Sequence, residues 1–295
     1  MTQILVGTAD GLHELDADGS PGEVQHAGRE VTYIAPEGWE LWAILDGREI
    51  WHTAGIDWWV HIGDLDGLRG NCMADTRAGV IVGTSEARLF RVAGEGLETV
   101  DGFESSPGRD GWYTPWGGPP DSRSISEDGD TVYVNVHVGG ILRSRDKGET
   151  WEPTIDLDAD VHKVWATRDR VFAPCAQGLG VSEDQGDTWS MRTDGLHASY
   201  CRGVAVCGDT VLVSASEGPS GSRSAVYRGD AGGGPLERCT DWFEKNIDSG
   251  CLDSTNEVAA FGTEDGRVFA STDQGSKWNE IASGLTPVTR VLVIP

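Results

Sequence analysis

The sequence is short of positive charge and of long apolar runs. Its 295 residues carry 23 Lys and Arg against 48 Asp and Glu, a formal net charge of −25, and four of the basic residues are lysines. A surface this negative repels nucleic acid and anionic lipid, so we expect neither as a partner. No apolar stretch reaches the ~18 residues of a membrane helix, so we expect no membrane span of that kind.

The cysteines are also few, and they lie far apart. None of the six belongs to a CxxC pair of the kind that holds a metal. The first residues contain no basic segment like that of a signal peptide, and they indicate a strand from Gln3 onward. Without such a segment we predict a cytoplasmic protein. Because thiols stay reduced in the cytoplasm, we expect its cysteines to be packed and unpaired.

What the sequence does contain is a repeated turn. Three segments share the pattern Ser-x-Asp-x-Gly-x-(Thr/Lys)-Trp, and each follows an apolar run typical of a strand. The Asp carboxylate can accept hydrogen bonds from nearby backbone N–H groups, and Gly supplies the positive φ of a tight turn. The Trp then presents a large ring for burial in the next strand. The three segments are 144–151, 182–189 and 271–278.

The spacing of these turns predicts the architecture. The second begins 38 residues after the first and the third 89 residues after the second, which is about two units of the ~40–45 residues in a four-stranded blade. A weaker turn at 228–234 fits the gap. The whole chain allows seven such units and one extra strand at its C-terminus. We therefore predict an all-β, seven-bladed β-propeller that forms a single domain over 1–295. The extra strand would close the ring by joining the N-terminal blade. Six or eight blades remain alternatives.

The three turns resemble Asp-box (BNR) repeats, which occur in sialidases, sortilin-type receptors, some other glycoside hydrolases and a photosystem II assembly factor. The chain as a whole resembles short intracellular BNR-repeat proteins that are often labelled sialidase-like. This resemblance implies a propeller fold and says little about function. We expect the Asp residues of the turns to be structural and not catalytic.

Equivalent positions of the predicted inner strands place cationic side chains at one mouth of the central channel. Guanidinium groups there would match a carboxylate or phosphate bidentately. The alternative is that each arginine is neutralised by an acidic neighbour or by water. The predicted channel residues are Arg69, Arg123, Arg202 and His162.

A long aromatic insertion at 111–121 leads into the fourth blade and is expected on the same face. Exposed aromatic rings on a proline-stiffened loop favour ligand binding, although the loop could instead cover a blade junction. His137 lies in a turn on that face. A zinc site from His137 and His162 lacks a third ligand, so we predict no metal and no cofactor. The predicted binding residues of this region are Trp112, Tyr113, Trp116 and His137.

The sequence therefore favours a non-catalytic binding propeller. Its ligand would be an anionic group, either a carboxylate of a partner protein or a small carboxylate. One alternative is a sialidase-like glycoside hydrolase acting on an anionic sugar, for which the resemblance implies a Tyr–Glu pair such as Tyr113 and Glu217. The sequence departs from that family because it lacks an Arg-Ile-Pro box near the N-terminus. A second alternative is a structural module whose channel arginines are neutralised internally.

Overall fold

The structure, a computed structural model, describes residues 2–53, 58–156, 159–168 and 170–295. These residues form seven antiparallel sheets of four strands each. The fold is a seven-bladed β-propeller, as the repeat length predicts. In six of the sheets four consecutive strands of the chain lie side by side in order, so each of these blades is a meander.

The first four blades contain the strands β1 to β15, and the longest connection among them precedes β12. They are β1 (Gln3–Thr8), β2 (Gly11–Asp16), β3 (Pro21–Gln25), β4 (Val31–Glu37), β5 (Glu40–Leu45), β6 (Glu49–Thr53), β7 (Trp59–Asp64), β8 (Gly70–Thr76), β9 (Gly79–Thr84), β10 (Leu89–Ala93), β11 (Gly96–Thr99), β12 (Ser122–Asp128), β13 (Thr131–Val136), β14 (Gly140–Ser144) and β15 (Glu152–Pro153).

The remaining strands complete three further blades and supply the extra strand of the first. They are β16 (Trp165–Thr167), β17 (Arg170–Cys175), β18 (Gly178–Ser182), β19 (Ser190–Arg192), β20 (Tyr200–Cys207), β21 (Thr210–Ser216), β22 (Ala225–Asp230), β23 (Glu237–Arg238), β24 (Leu252–Ser254), β25 (Ala259–Gly262), β26 (Val268–Ser271), β27 (Asn279–Ala282) and β28 (Val288–Ile294).

The C-terminal strand completes the N-terminal blade. β28 pairs antiparallel with β1, with Ile4 opposite Val293 and Leu5 opposite Leu292. All four of these side chains are buried, so the pairing is held by apolar packing as well as by its hydrogen bonds. The predicted closure by a leftover strand is confirmed.

The chain divides into two compact units. Residues 1–31, 174–179 and 191–295 form the first unit, and residues 32–173 and 180–190 form the second. The first unit contains the sheets that begin at β1, β20 and β24, while the second contains those of β4 (Val31 apart), β8 and β12. Seven of the eight predicted binding residues belong to the second unit, and Arg202 belongs to the first.

The recurring turns have the geometry that their sequence predicts. In the first, the carboxylate of Asp146 accepts a hydrogen bond from the backbone N–H of Thr150 at 2.9 Å, and the Ser144 hydroxyl donates to the same carboxylate at 2.8 Å. Lys147 and Gly148 have φ values of 61° and 84°, which reverse the chain. The turn is therefore held by its own side chains.

The other two turns repeat this arrangement. The Asp184 carboxylate accepts from the Thr188 backbone N–H at 2.8 Å, and the Asp273 carboxylate accepts from that of Lys277 at 2.8 Å. The hydrogen bonds from Thr188 lower the pKa of Asp184 to about 2. A carboxylate so engaged stays ionised and has a structural role, as the sequence predicts.

The first strands of the fifth and seventh blades begin later than predicted. The apolar pattern indicates strands at 161–167 and 247–252, whereas β16 begins at Trp165 and β24 at Leu252. Side chains of the preceding blades replace the missing ladder bonds: the Val164 N–H donates to Ser124 Oγ at 2.8 Å, and Ser214 Oγ donates to the Ile247 carbonyl at 2.8 Å. The predicted inner-strand residue His162 therefore lies in the irregular segment that leads into its strand.

The insertion before the fourth blade folds into short helical turns. A helix, α1 (Asp101–Glu104), and a 3₁₀ turn (Arg109–Gly111) precede the aromatic loop, and another 3₁₀ turn (Ser85–Ala87) follows β9. The buried Phe103 ring of α1 packs edge-on against Trp151 of the first recurring turn, with 5.4 Å between ring centroids. This packing ties the base of the insertion to the core of the second unit.

Candidate functional site

The candidate site lies in the second unit, where the aromatic loop approaches the turn between β13 and β14. Tyr113 and Trp116 of the loop are 59% and 68% exposed. The Trp116 ring lies beside that of His137, with 5.2 Å between centroids. The structure therefore brings the aromatic loop to the predicted histidine and leaves two of its rings open to a ligand.

His137 is fixed by its backbone. Its N–H donates to the carbonyl of Asp121 at 2.9 Å, which links the β13–β14 turn to the end of the loop. Val138 follows with a φ of 56°, a left-handed conformation that turns the chain back into β14. The imidazole is 5% exposed, and its Nδ1 atom is buried without a hydrogen-bond partner.

The carboxylate of Asp160 lies between two histidines. Its Oδ1 atom is 3.0 Å from Nε2 of His137, and its Oδ2 atom is 3.6 Å from Nε2 of His162. Both histidines are buried, whereas the Asp160 side chain is partly exposed. His137, Asp160 and His162, which we name the His–Asp–His cluster, combine nitrogen and oxygen donors in one small volume.

The environment sets the charges of this cluster. Burial is the main cause that lowers the pKa of His137, and the neighbouring Arg123 guanidinium lowers it further, against the opposite influence of Asp160. Hydrogen bonding to His137 and then to His162 holds the pKa of Asp160 well below its usual range. At neutral pH the cluster therefore contains an ionised carboxylate and a neutral His137.

Arg123 is the predicted arginine whose charge lowers the pKa of His137 in this cluster. It lies in β12, directly after the aromatic loop, and its guanidinium is 4.0 Å from the Asp121 carboxylate. At that distance the ion pair is longer than a normal hydrogen bond. The charge of Arg123 acts on His137, whose ring lies beside Trp116, and Tyr113 belongs to the same loop as Trp116. We name these four residues the aromatic–arginine surface.

The other two predicted arginines have different surroundings. The guanidinium of Arg202 forms an ion pair with Asp248, and it lies over the Tyr200 ring at 5.8 Å. Although burial lowers the pKa of Arg202, Asp248 and Tyr200 together raise it by more than that effect. Arg69 packs over the turn at Gly47, where its guanidinium group leaves no room for a Cβ atom. Arg202 thus matches the alternative in which an acidic neighbour neutralises the arginine.

Trp112 differs from the other two aromatic residues of the loop. It is 8% exposed and packs into the core of the second unit, with its ring 5.6 Å from that of Phe103 and the Arg109 guanidinium over it at 5.0 Å. The backbone of Trp112 is extended, so its side chain and that of Tyr113 point to opposite sides, and one ring is buried while the next is exposed. We therefore assign Trp112 to the anchoring of the loop and not to its binding face.

Glu217, which the sialidase resemblance would pair with Tyr113, is engaged within its own loop. Its carboxylate accepts from Ser222 Oγ at 3.1 Å and lies 3.4 Å from the Arg223 guanidinium. Glu217 and Tyr113 belong to different compact units. These contacts give Glu217 a role in shaping the loop between β21 and β22.

Comparison with known proteins supports the fold. No protein-family model matches the chain, and no curated protein matches it either. The computationally designed protein Ika8 aligns over 98% of this chain and 86% of its own, with 14% identity and a TM-score of 0.62. The extracellular domain of BT4673 from B. thetaiotaomicron aligns over 85% of this chain and 33% of its own, with 11% identity and a TM-score of 0.60.

YCF48, in a structure bound to D1 peptide, aligns over 92% of this chain and 85% of its own, with 15% identity and a TM-score of 0.57. Identities this low show the fold alone. The chain is similar to these propellers in architecture. Among the residues that the structure describes, none forms a helix with the length and apolar character needed to cross a bilayer.

Sequence reasoning missed Asp160. A signal was present, because Asp160 and His162 are two residues apart, and in an extended segment side chains at i and i+2 point to the same side. The intervening Val161 is fully buried. In a chain with 48 acidic residues this spacing did not stand out. It acquires meaning only beside His137, which comes from the preceding blade.

Proposed function

We propose that this protein is a non-catalytic binding propeller that recognises a carboxylate of a partner protein at the aromatic–arginine surface. One observation carries the proposal: the exposed Trp116 ring, on a loop anchored in the core, lies 5.2 Å from the ring of His137, on which the charge of Arg123 acts. Exposed aromatic rings beside an arginine are the composition of interface hot spots. We take the carboxylate as the anionic group because a guanidinium matches it bidentately.

The state of Arg123 supports this reading. Its ion pair with Asp121 is long, at 4.0 Å, and partly exposed to water. A partner carboxylate that matched the guanidinium bidentately would form a closer ion pair than this one. Tyr113 and Trp116 then supply apolar contact area around the charged group.

The structurally similar propeller YCF48 is bound to D1 peptide in its solved structure. This supports a protein segment as the class of ligand, with a small free carboxylate as the second choice. We also propose that the recurring turns are Asp-box repeats and that the protein is cytoplasmic. We propose that it does not bind nucleic acid, because its net charge of −25 repels phosphate groups.

The test is a capture experiment from an extract of the source organism. The bait is the purified full chain, either wild type or Trp116→Ala/Arg123→Ala, and bound proteins are identified and quantified by mass spectrometry. The matched control is Trp39→Ala/Arg77→Ala. It removes the same two residue types from turns between first and second strands, where Trp39 is 95% exposed and Arg77 forms a surface pair with Asp130.

We expect wild type and control to capture the same partner, and the site variant to capture at least tenfold less. Synthetic peptides from that partner, with a free or amidated carboxylate, then test the chemistry. The peptide with the free carboxylate should bind more tightly. Equal capture by the site variant and wild type would overturn the proposal.

A further inference from the structure

We propose that the His–Asp–His cluster is a binding site for one divalent transition metal ion, with Zn²⁺ the best match. Imidazole nitrogen and carboxylate oxygen are both zinc ligands, and His₂ with one carboxylate is a known set for an open site. The three donor atoms all lie within 4.8 Å of one another. This inference goes beyond partner binding and needs no partner to be tested.

The distances suit a metal ion of this size. Tetrahedral zinc with bonds of about 2.1 Å separates its ligand atoms by about 3.4 Å. The separations of 3.0 Å and 3.6 Å, from Asp160 to His137 and to His162, lie on either side of that value. Small side-chain rotations would therefore bring the donors into coordination.

The backbone already holds the ligands in place. The His137 N–H is bonded to the Asp121 carbonyl, and the segment with Asp160 and His162 is fixed by the bond from the Val164 N–H to Ser124 Oγ. A metal bound to fixed ligands loses little affinity to reorganisation. Three protein ligands leave a fourth position for water or another oxygen donor.

The open fourth position would connect the metal site with the binding of a partner. This one step rests on the proposed function. Because Trp116 lies beside His137, a fourth ligand would arrive from the aromatic–arginine surface. A partner carboxylate that contacts this surface could therefore coordinate the ion. Removal of the metal would then weaken partner capture by the wild type.

A second group of similar composition provides the internal control. His52 Nε2 lies 3.1 Å from Glu37 and 3.4 Å from Glu40. Here the Trp42 indole N–H donates to the Glu37 carboxylate at 2.7 Å, and the His52 ring stacks on Trp42 at 4.1 Å. The indole thus engages the Glu37 carboxylate, and Glu40 is exposed to water, so we assign no metal to this group.

The experiment is a zinc titration of the purified full chain after chelator treatment and dialysis, in physiological salt with excess Mg²⁺. A competing chromophoric chelator reports affinity, and substitution by Co²⁺ reports coordination through its visible absorption. The variants are Asp160→Asn, which keeps the shape of the side chain, and His162→Gln, which replaces the imidazole with a neutral polar group. His52→Gln is the control, and circular dichroism confirms that each variant is folded.

We expect one equivalent of Zn²⁺ in wild type and in His52→Gln, and at least tenfold weaker binding in both site variants. Zinc should also raise the melting temperature of wild type, since a ligand of the folded state stabilises it. Absence of a stoichiometric site in wild type overturns the proposal. So does a loss of less than tenfold in either site variant, or a tenfold loss in His52→Gln. Because no partner is present, this result is independent of the capture experiment.

Discussion

The carboxylate of Asp146 accepts two hydrogen bonds from Thr150, one from the backbone N–H at 2.9 Å and one from the hydroxyl at 2.6 Å. Asp184 and Thr188 repeat this relationship at 2.8 Å and 2.6 Å. In the third turn Lys277 has no hydroxyl, and the backbone bond alone is kept. The variation between Thr and Lys in the motif therefore changes one hydrogen bond and leaves the turn intact.

Asp146→Ala should lower the free energy of unfolding by about 1 to 3 kcal/mol, because several net hydrogen bonds of about 1 kcal/mol each are lost. The control is Asp130→Ala, which removes an 81% exposed carboxylate from a surface ion pair and should change stability by about 0.5 kcal/mol or less. Chemical denaturation of both variants measures the difference. Equal effects of the two changes would contradict the structural role of the turn.

The same turns predict a loss of stability in acid. Hydrogen bonding lowers the pKa values of Asp146, Asp184 and Asp273 in the folded protein, that of Asp184 to about 2 from an ordinary value of 3.8. A carboxyl whose folded pKa is lowered contributes stability that is present above its unfolded pKa and is lost as the pH falls toward its folded pKa. The protein should therefore lose stability between about pH 4 and about pH 2.

The measurement compares melting temperatures of wild type and the triple variant Asp146→Asn/Asp184→Asn/Asp273→Asn across this range. Wild type should be the more stable at pH 7, and the difference should shrink as the pH approaches the folded pKa of Asp184, about 2. A difference that stays constant with pH would show that ionisation of these carboxyls does not matter for stability.

The repeated turns explain why the fold could be predicted. Each carries its own hydrogen bonds, so local sequence determines local structure, and the spacing of Ser144, Ser182 and Ser271 fixes the blade length. The starts of β16 and β24 could not be predicted in the same way. Their apolar residues look like strands, but side chains from neighbouring blades, Ser124 and Ser214, take the backbone hydrogen bonds.

The site was less accessible to sequence reasoning because tertiary contacts decide it. Trp112 and Tyr113 are adjacent and both aromatic, yet one is buried and the other exposed. Arg202 has a cationic side chain like that of Arg123, but its neighbour Asp248 neutralises it. Asp160 becomes interesting only once His137 is known to lie 3.0 Å away.

Trp112→Ala should destabilise the protein by about 3 to 5 kcal/mol, the usual cost of removing a buried aromatic side chain from a core. Trp116→Ala, four residues further along the same loop, should change stability by about 0.5 kcal/mol or less because that ring is exposed. Denaturant titrations measure both. Similar costs for the two would contradict the division of the loop into an anchor and a binding face.

Arg123→Ala separates partner binding from metal binding, because its charge acts on them in opposite directions. A guanidinium attracts a partner carboxylate, so its loss should weaken partner binding by about tenfold or more, or at least ~1.4 kcal/mol. The same positive charge opposes a cation in the His–Asp–His cluster, as it opposes protonation of His137. Its loss should therefore tighten zinc binding, by about threefold for a partly screened charge.

Arg123→Lys is the matched control for this pair of measurements. Lysine keeps the positive charge but not the planar fork, so zinc affinity should stay close to that of wild type while partner binding stays weakened. Titration calorimetry with zinc and with a peptide of the captured partner measures the two affinities on the same preparations. If Arg123→Ala weakened both, Arg123 would act by shaping the site; if it changed neither, the Arg123 guanidinium would lie outside both sites. The opposed changes are expected because one cationic side chain faces both an anionic partner and a cationic ligand.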